Sequence, residues 1–337
     1  MSHHHTPPHA PVIIIATFVG LLVLMLPPIA SFGFTHVPTG LTSEVYLPLI
    51  AKPSFLTPPP PGDWLAYVNY YRATANLPPV SEQSDFSAGD RLHARYMVKN
   101  DIIEHTEDPT NPWYTQEGYN AAQSSNLAAS YEVDRTDEWA IDSWMQAPFH
   151  AVGVLDPELL QVGYGSYREA DGRLQMGAAL DVTRGLTHTP PATMRFPIRW
   201  PANGISVPIG QHWGETPDPL TSCPGYSAPA GLPVILQIGL GNVTPDVTAH
   251  SFFQGTAPLD HCVFDETSYV NPDSTQQELA RDILGSRDAI VLIPRAPLTA
   301  GMSYTVSITT NGWTYSWTFS IRATNEPPAQ AMEGIVR

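Results

Sequence analysis

One change of hydrophobic period divides this sequence. From residue 63 to residue 150 the apolar side chains recur at helical spacing, and after residue 160 they alternate or cluster in short runs. Asp63 is a good N-cap for a helix from Trp64 to about Asn76, with Trp64, Leu65, Val68 and Tyr71 on one face. Leu77-Pro78-Pro79 ends it. A second helix is predicted from about Ser84 to Asn100, with Phe86, Leu92 and Tyr96 inward. Thr115 caps a short helix through about Ser124, and Thr136 or Asp137 opens another. That last helix carries Ile141, Trp144 and Met145, stops at Pro148, and leaves His150 just beyond its end. Val162 to Tyr167 and Leu174 to Val182 are then expected to pair as a hairpin across Asp171-Gly172. Helices first and a hairpin last predict an α+β sandwich for residues 63–187.

Residues 194–322 follow a different pattern. Short strand-like runs are punctuated by Pro and Gly: Arg195 to Arg199, Val234 to Leu240, Ile290 to Ile293, Tyr304 to Thr309 and Trp313 to Ile321. The last two flank Asn311-Gly312, a favoured hairpin turn. Such spacing predicts an all-β sandwich of immunoglobulin-like type, with residues 323–337 as a disordered tail.

The N-terminus bears on location. Residues 1–43 contain no Asp, Glu, Lys or Arg, and Val12 to Leu26 is an apolar run broken by Pro27-Pro28. Residues 1–34 are expected to be a signal peptide or, if uncleaved, an N-terminal membrane anchor. Residues 35–62, with Thr57 to Gly62 extended as polyproline, form a proline-rich linker. Export to the cell surface or medium is the expectation. Formal charge is −16 with only two lysines, Lys52 and Lys99, so there is no basic stripe for nucleic acid. Cys223 and Cys262 are the only cysteines, and in an exported chain they are expected to form a disulfide, the alternative being two buried thiols.

No Gly-x-Ser-x-Gly elbow, phosphate loop or His-Glu-x-x-His helix is present. The remaining candidates for chemistry are His105 and His150, each after a helix end and each before an irregular segment. Two imidazoles and a carboxylate would make a first-row metal site, with Glu104, Glu107, Glu117 and Asp142 within sequence reach. A histidine beside an apolar helix is more often a hydrogen-bonded structural group, and His93 inside the second helix is the clearest instance.

Residues 63–183 resemble the CAP superfamily of cysteine-rich secretory, antigen 5 and pathogenesis-related proteins, most closely its cysteine-poor bacterial members. The resemblance is carried by Val68-Asn69-Tyr70-Tyr71-Arg72, by Ala94 to Asn100 leading to His105, and by Ser125-Asn126-Leu127-Ala128. Trp144-Met145 to Pro148-Phe149-His150 and Val162-Gly163-Tyr164-Gly165 complete it. It implies a CAP-type α-β-α sandwich whose cavity holds two histidines and two glutamates around a divalent metal such as zinc. His105 and His150 match the histidines by position. The glutamate position before the Asn-hydrophobic-Ala stretch is Ser125 here, which implies a weaker metal site or none, with Glu117 the nearest substitute. The later part resembles bacterial Ig-like domains.

Three functions follow as expectations. The first is an exported CAP-domain protein that binds an extracellular lipid, glycan or protein. The second is a metal-assisted hydrolase using the His105/His150 cavity, and the third is a structural adhesion module. Contact with a membrane is expected only through an uncleaved N-terminal segment.

Overall fold

A computed structural model describes residues 56–192, 194–323 and 334–336, all within one compact unit, Pro48–Arg337. The expected signal or anchor segment and the linker up to residue 55 lie outside the described residues. In the first half the elements are α1 (Trp64–Thr74), β1 (Ser81–Glu82), α2 (Ser84–Asn100), α3 (Gln116–Ala122), β2 (Ser125–Ser130), α4 (Asp137–Met145), α5 (Pro148–Val154), β3 (Gln161–Arg168) and β4 (Met176–Asp181). The second half has β5 (Ile198–Trp200), β6 (Ser206–Val207), β7 (Gln211–His212), β8 (Ala230–Gly231), β9 (Val234–Gln237), β10 (Val247–Gln254), β11 (Ala257–Pro258) and β12 (His261–Phe264). It continues with α6 (Ser274–Gly285), β13 (Ala289–Pro294), β14 (Ser303–Thr310), β15 (Trp313–Ile321) and β16 (Gly334–Val336).

The helix starts follow local chemistry. Asp63 accepts the Ala66 amide at 2.9 Å, Thr115 the Gly118 amide at 2.9 Å and Thr136 the Trp139 amide at 3.2 Å, each supplying an acceptor to an otherwise unpaired first-turn donor. Pro148 does more than end α4. It occupies the first turn of α5, where its fixed φ suits a helix start and its missing N–H costs nothing, so His150 lies inside a helix rather than beyond one. The hairpin expected across Asp171-Gly172 also differs. Arg168 pairs with Met176, so a seven-residue loop, 169–175, joins β3 to β4.

The first sheet has the order β1-β3-β4-β2-β16 and divides two helical layers. Side chains alternate across it. Leu127, Ala129 and Ala179 pack with Met97 of α2, whereas Ala128, Ala178 and Leu180 join Val68, Tyr71 and Trp144 of α1 and α4. The glycines of the Val162-Gly163-Tyr164-Gly165 stretch let α2 lie directly on β3. A Cβ at Gly165 would fall 2.0 Å from the Arg91 amide nitrogen, and one at Gly163 would fall 2.4 Å from Phe86. β16 pairs with β2, so this part of the expected disordered tail is an edge strand.

The second half is β-rich, with sheets ordered β11-β10-β14-β15-β6 and β12-β13-β9-β5 and a two-stranded β7-β8 pair. The β14–β15 turn has Asn311 and Gly312 both at positive φ, as that hairpin type requires. An all-β region does not describe it fully. Asp273 accepts the amides of Thr275 and Gln276 and starts α6, which buries Ala280 and Leu284. Cys223 and Cys262 form a disulfide, tying the loop after a short 3₁₀ turn to β12.

One hydrophobic cluster runs through both halves, from Val68, Tyr71 and Trp144 to Trp200, Leu236, Leu292 and Val306. Polar contacts cross with it. Trp200 donates from Nε1 to Thr74 Oγ1 at 2.9 Å, and Arg287 pairs with Asp156 at 2.9 Å. Buried Arg72 gathers the chain around α1, donating to Pro78, Val154, Asp156 and Leu159 carbonyls at 2.9, 2.7, 2.9 and 3.3 Å. Burial lowers its pKa to about 10.

Candidate functional site

Between Gln146 and His150 several polar contacts join the two halves. Trp144 is fully buried and donates from Nε1 to Leu127 O at 3.0 Å, which fixes α4 on the first sheet. Asn126 on the neighbouring strand donates to His150 O at 3.1 Å and holds the start of α5. His150 is itself buried, at 6% exposure.

Its partner comes from the β-rich half. Glu215 places Oε2 2.6 Å from His150 Nδ1, and the same carboxylate accepts the Phe149 and His150 amides at 3.2 and 3.3 Å. All three donors sit in the first turn of α5, so a buried anion is matched by aligned N–H groups and an imidazole N–H. With Nδ1 donating to Glu215, Nε2 is the ring nitrogen left for other chemistry in the neutral imidazole. His212, also fully buried, adds a second link by donating from Nδ1 to Gln146 O at 2.8 Å. Its Nε2 is buried without a hydrogen-bond partner.

His105 is placed differently. It is exposed and donates from Nδ1 to Ala122 O at 2.8 Å, while its own carbonyl accepts from Gln123. Ser125, at the position where the resemblance implies glutamate, points to the α2 face and donates to Asp90 Oδ1 at 2.7 Å. Asp90 is fully buried with Oδ2 unpartnered. Burial, with Asp181 nearby, raises its pKa to about 8 against the opposing Ser125 hydrogen bond. Glu117 is exposed in the first turn of α3. Glu107 is buried between His93 Nδ1, at 2.9 Å, and the Thr115 amide, at 3.1 Å. His93 Nε2 meets Glu104 O at 3.1 Å, so both ring nitrogens are engaged and that histidine is a structural group. Asp142 is consumed by the Tyr67 and Tyr71 hydroxyls at 2.8 and 2.5 Å.

Sequence reasoning missed Glu215 and His212. Glu215 lies 65 residues from His150 in a proline-bounded loop, and no local pattern marks it.

The geometry defines a helix–sheet–helix domain whose conspicuous histidine opens a short helix and is held by a carboxylate from an appended β-rich region. Residues 65–178 match the CAP family, described as the cysteine-rich secretory protein family. No curated protein sequence matches the chain. Among solved structures, an extracellular protein containing an SCP domain from Bacillus anthracis str. Ames is similar at 15% identity. The likeness covers 37% of this chain and 40% of that one, with a TM-score of 0.29.

The donor set does not fit the divalent metal that the resemblance implies. Among the described residues no group of three or more His, Cys, Asp or Glu side chains is placed to hold an ion. The Ser125 hydroxyl is committed to Asp90, and Glu215, held by His150 Nδ1 and two backbone amides, is not free to serve as the missing carboxylate ligand.

Proposed function

We propose that this chain is an exported protein that acts by binding an extracellular ligand through the region around His150, with the β-rich half, read as an Ig-like sandwich, as an integral support. The observation that carries the reading is the pairing of Ser125 with buried Asp90. It commits Ser125, at the position where the resemblance implies a glutamate, to a buried carboxyl rather than to a metal, and on this reading His150 recognises the ligand by hydrogen bonding. The disulfide and the uncharged N-terminal 43 residues support export. Among the described residues no helix is long and apolar enough to cross a membrane.

The test is a binding screen of the folded, disulfide-intact protein against lipid vesicles, cell-wall glycans and extracellular proteins, repeated with His150→Ala. A ligand retained by the wild type and lost by the variant is the expected result. Zinc-dependent hydrolysis by the wild type, or a folded protein that retains no ligand, would replace this reading.

A further inference from the structure

A second pair of histidines lies away from the site just described. His250 on β10 and His261 on β12 face each other with His250 Nδ1 2.9 Å from His261 Nε2, their rings nearly perpendicular at 82°. β12 is an edge strand of one sheet, and β10 belongs to the other. His250 is exposed and His261 is half-buried.

We propose that His250 and His261 form a two-imidazole site for a borderline transition-metal ion, copper(II) or zinc, bridging the two sheets. One of the two tautomers is prepared for it; in the free pair His250 Nδ1 donates to His261 Nε2, and metal binding moves that proton to His250 Nε2. His261 donates from Nδ1 to Leu259 O at 2.7 Å, which turns its Nε2 lone pair toward His250. Anchoring the distal nitrogen on a carbonyl is how metal-binding imidazoles are commonly oriented. Two nitrogens on one tetrahedral ion at ~2.0–2.1 Å lie roughly 3.3 Å apart, so the pair needs to open by only about 0.4 Å. The exposed side of His250 leaves room for water to complete the coordination. A formal charge of −16 further favours cation accumulation at the surface. A bound ion would tie β10 to β12 next to Cys262, adding a second cross-link beside the disulfide to Cys223.

Total metal uptake is a poor readout, because the chain also carries His3, His4, His5 and His9. The site-specific test is carbethoxylation of the full chain by diethyl pyrocarbonate, read per residue by mass spectrometry with and without Cu²⁺ or Zn²⁺. The metal is expected to protect both His250 and His261, copper more effectively than zinc, and to raise the thermal midpoint. His250→Gln should remove the protection of His261, and His261→Gln that of His250. Equal modification rates with and without metal, or protection of one histidine that persists when the other is replaced, would overturn the site.

Discussion

Glu215 Oε2 lies 2.6 Å from His150 Nδ1, and the two residues come from different halves of the chain. The contact makes the β-rich region part of the environment of the one buried histidine at the start of α5. Glu215→Gln keeps the size and removes the anion, so the three donors it served compete for one amide oxygen. A loss of about 1–3 kcal/mol in urea unfolding is expected. Glu215→Ala should cost more, since every donor is then stranded. Nitrogen chemical shifts of His150 should report loss of the single Nδ1–H tautomer in both variants. An unchanged tautomer would show that Glu215 does not set it.

Arg72 is expected to be among the least replaceable residues. Its guanidinium serves four backbone carbonyls from two separate segments, Pro78 and the stretch from Val154 to Leu159. Lysine has one nitrogen and cannot reproduce that spread. Arg72→Lys should destabilise by at least about 3 kcal/mol, each stranded buried carbonyl costing ~1 kcal/mol or more. Equilibrium denaturation checks it.

Two buried carboxyls give a defined pH dependence. Burial raises Asp90 to about 8 and Asp142 to about 6, from an ordinary 3.8. An acid raised on folding holds its proton more tightly in the native state. Its contribution is therefore complete below the unfolded value near 4 and is lost as pH rises to the folded value. Asp142 acts between about 4 and 6, and Asp90 between about 4 and 8. Asn imitates the protonated carboxyl, so Asp90→Asn should gain on the wild type steadily from pH 4 to pH 8. Asp142→Asn should gain only up to about pH 6. Parallel stability curves from denaturation at each pH would contradict both assignments.

The disulfide and the shared core make a further pair of measurements. Cys223 and Cys262 are 39 residues apart, a loop whose closure is worth about 4 kcal/mol in chain entropy. Reduction should lower the unfolding midpoint by a corresponding amount. Because one apolar cluster spans both halves, the oxidised chain should unfold in a single transition, with far-ultraviolet circular dichroism and tryptophan fluorescence coinciding. Two separated transitions would mean that the halves fold independently.

Much of the fold was legible from local pattern. Asp63, Thr115 and Thr136 cap the helices for which their side chains suit them, and Asn311-Gly312 makes the expected turn. Helix α6 was not anticipated. Its chain is polar apart from a narrow inward stripe, and only two of its residues are fully buried. From sequence Pro148 marks only a helix stop, although the same fixed φ that ends one helix suits the start of the next.

The sequence by itself determined the first helices and their cap positions, the Asn311-Gly312 turn, the two histidines that drew attention and the serine where an acid was expected. Each of these depends on a residue and its near neighbours in the chain. Tertiary structure alone decided which partners those residues meet. It sent Ser125 to Asp90, left His105 exposed at the end of α3, and brought Glu215 across 65 residues to the first turn of α5 and His212 across 66 residues to the turn before it. Such pairings have no periodicity and no spacing, because they are set by how two packed layers and a second sheet system share one core.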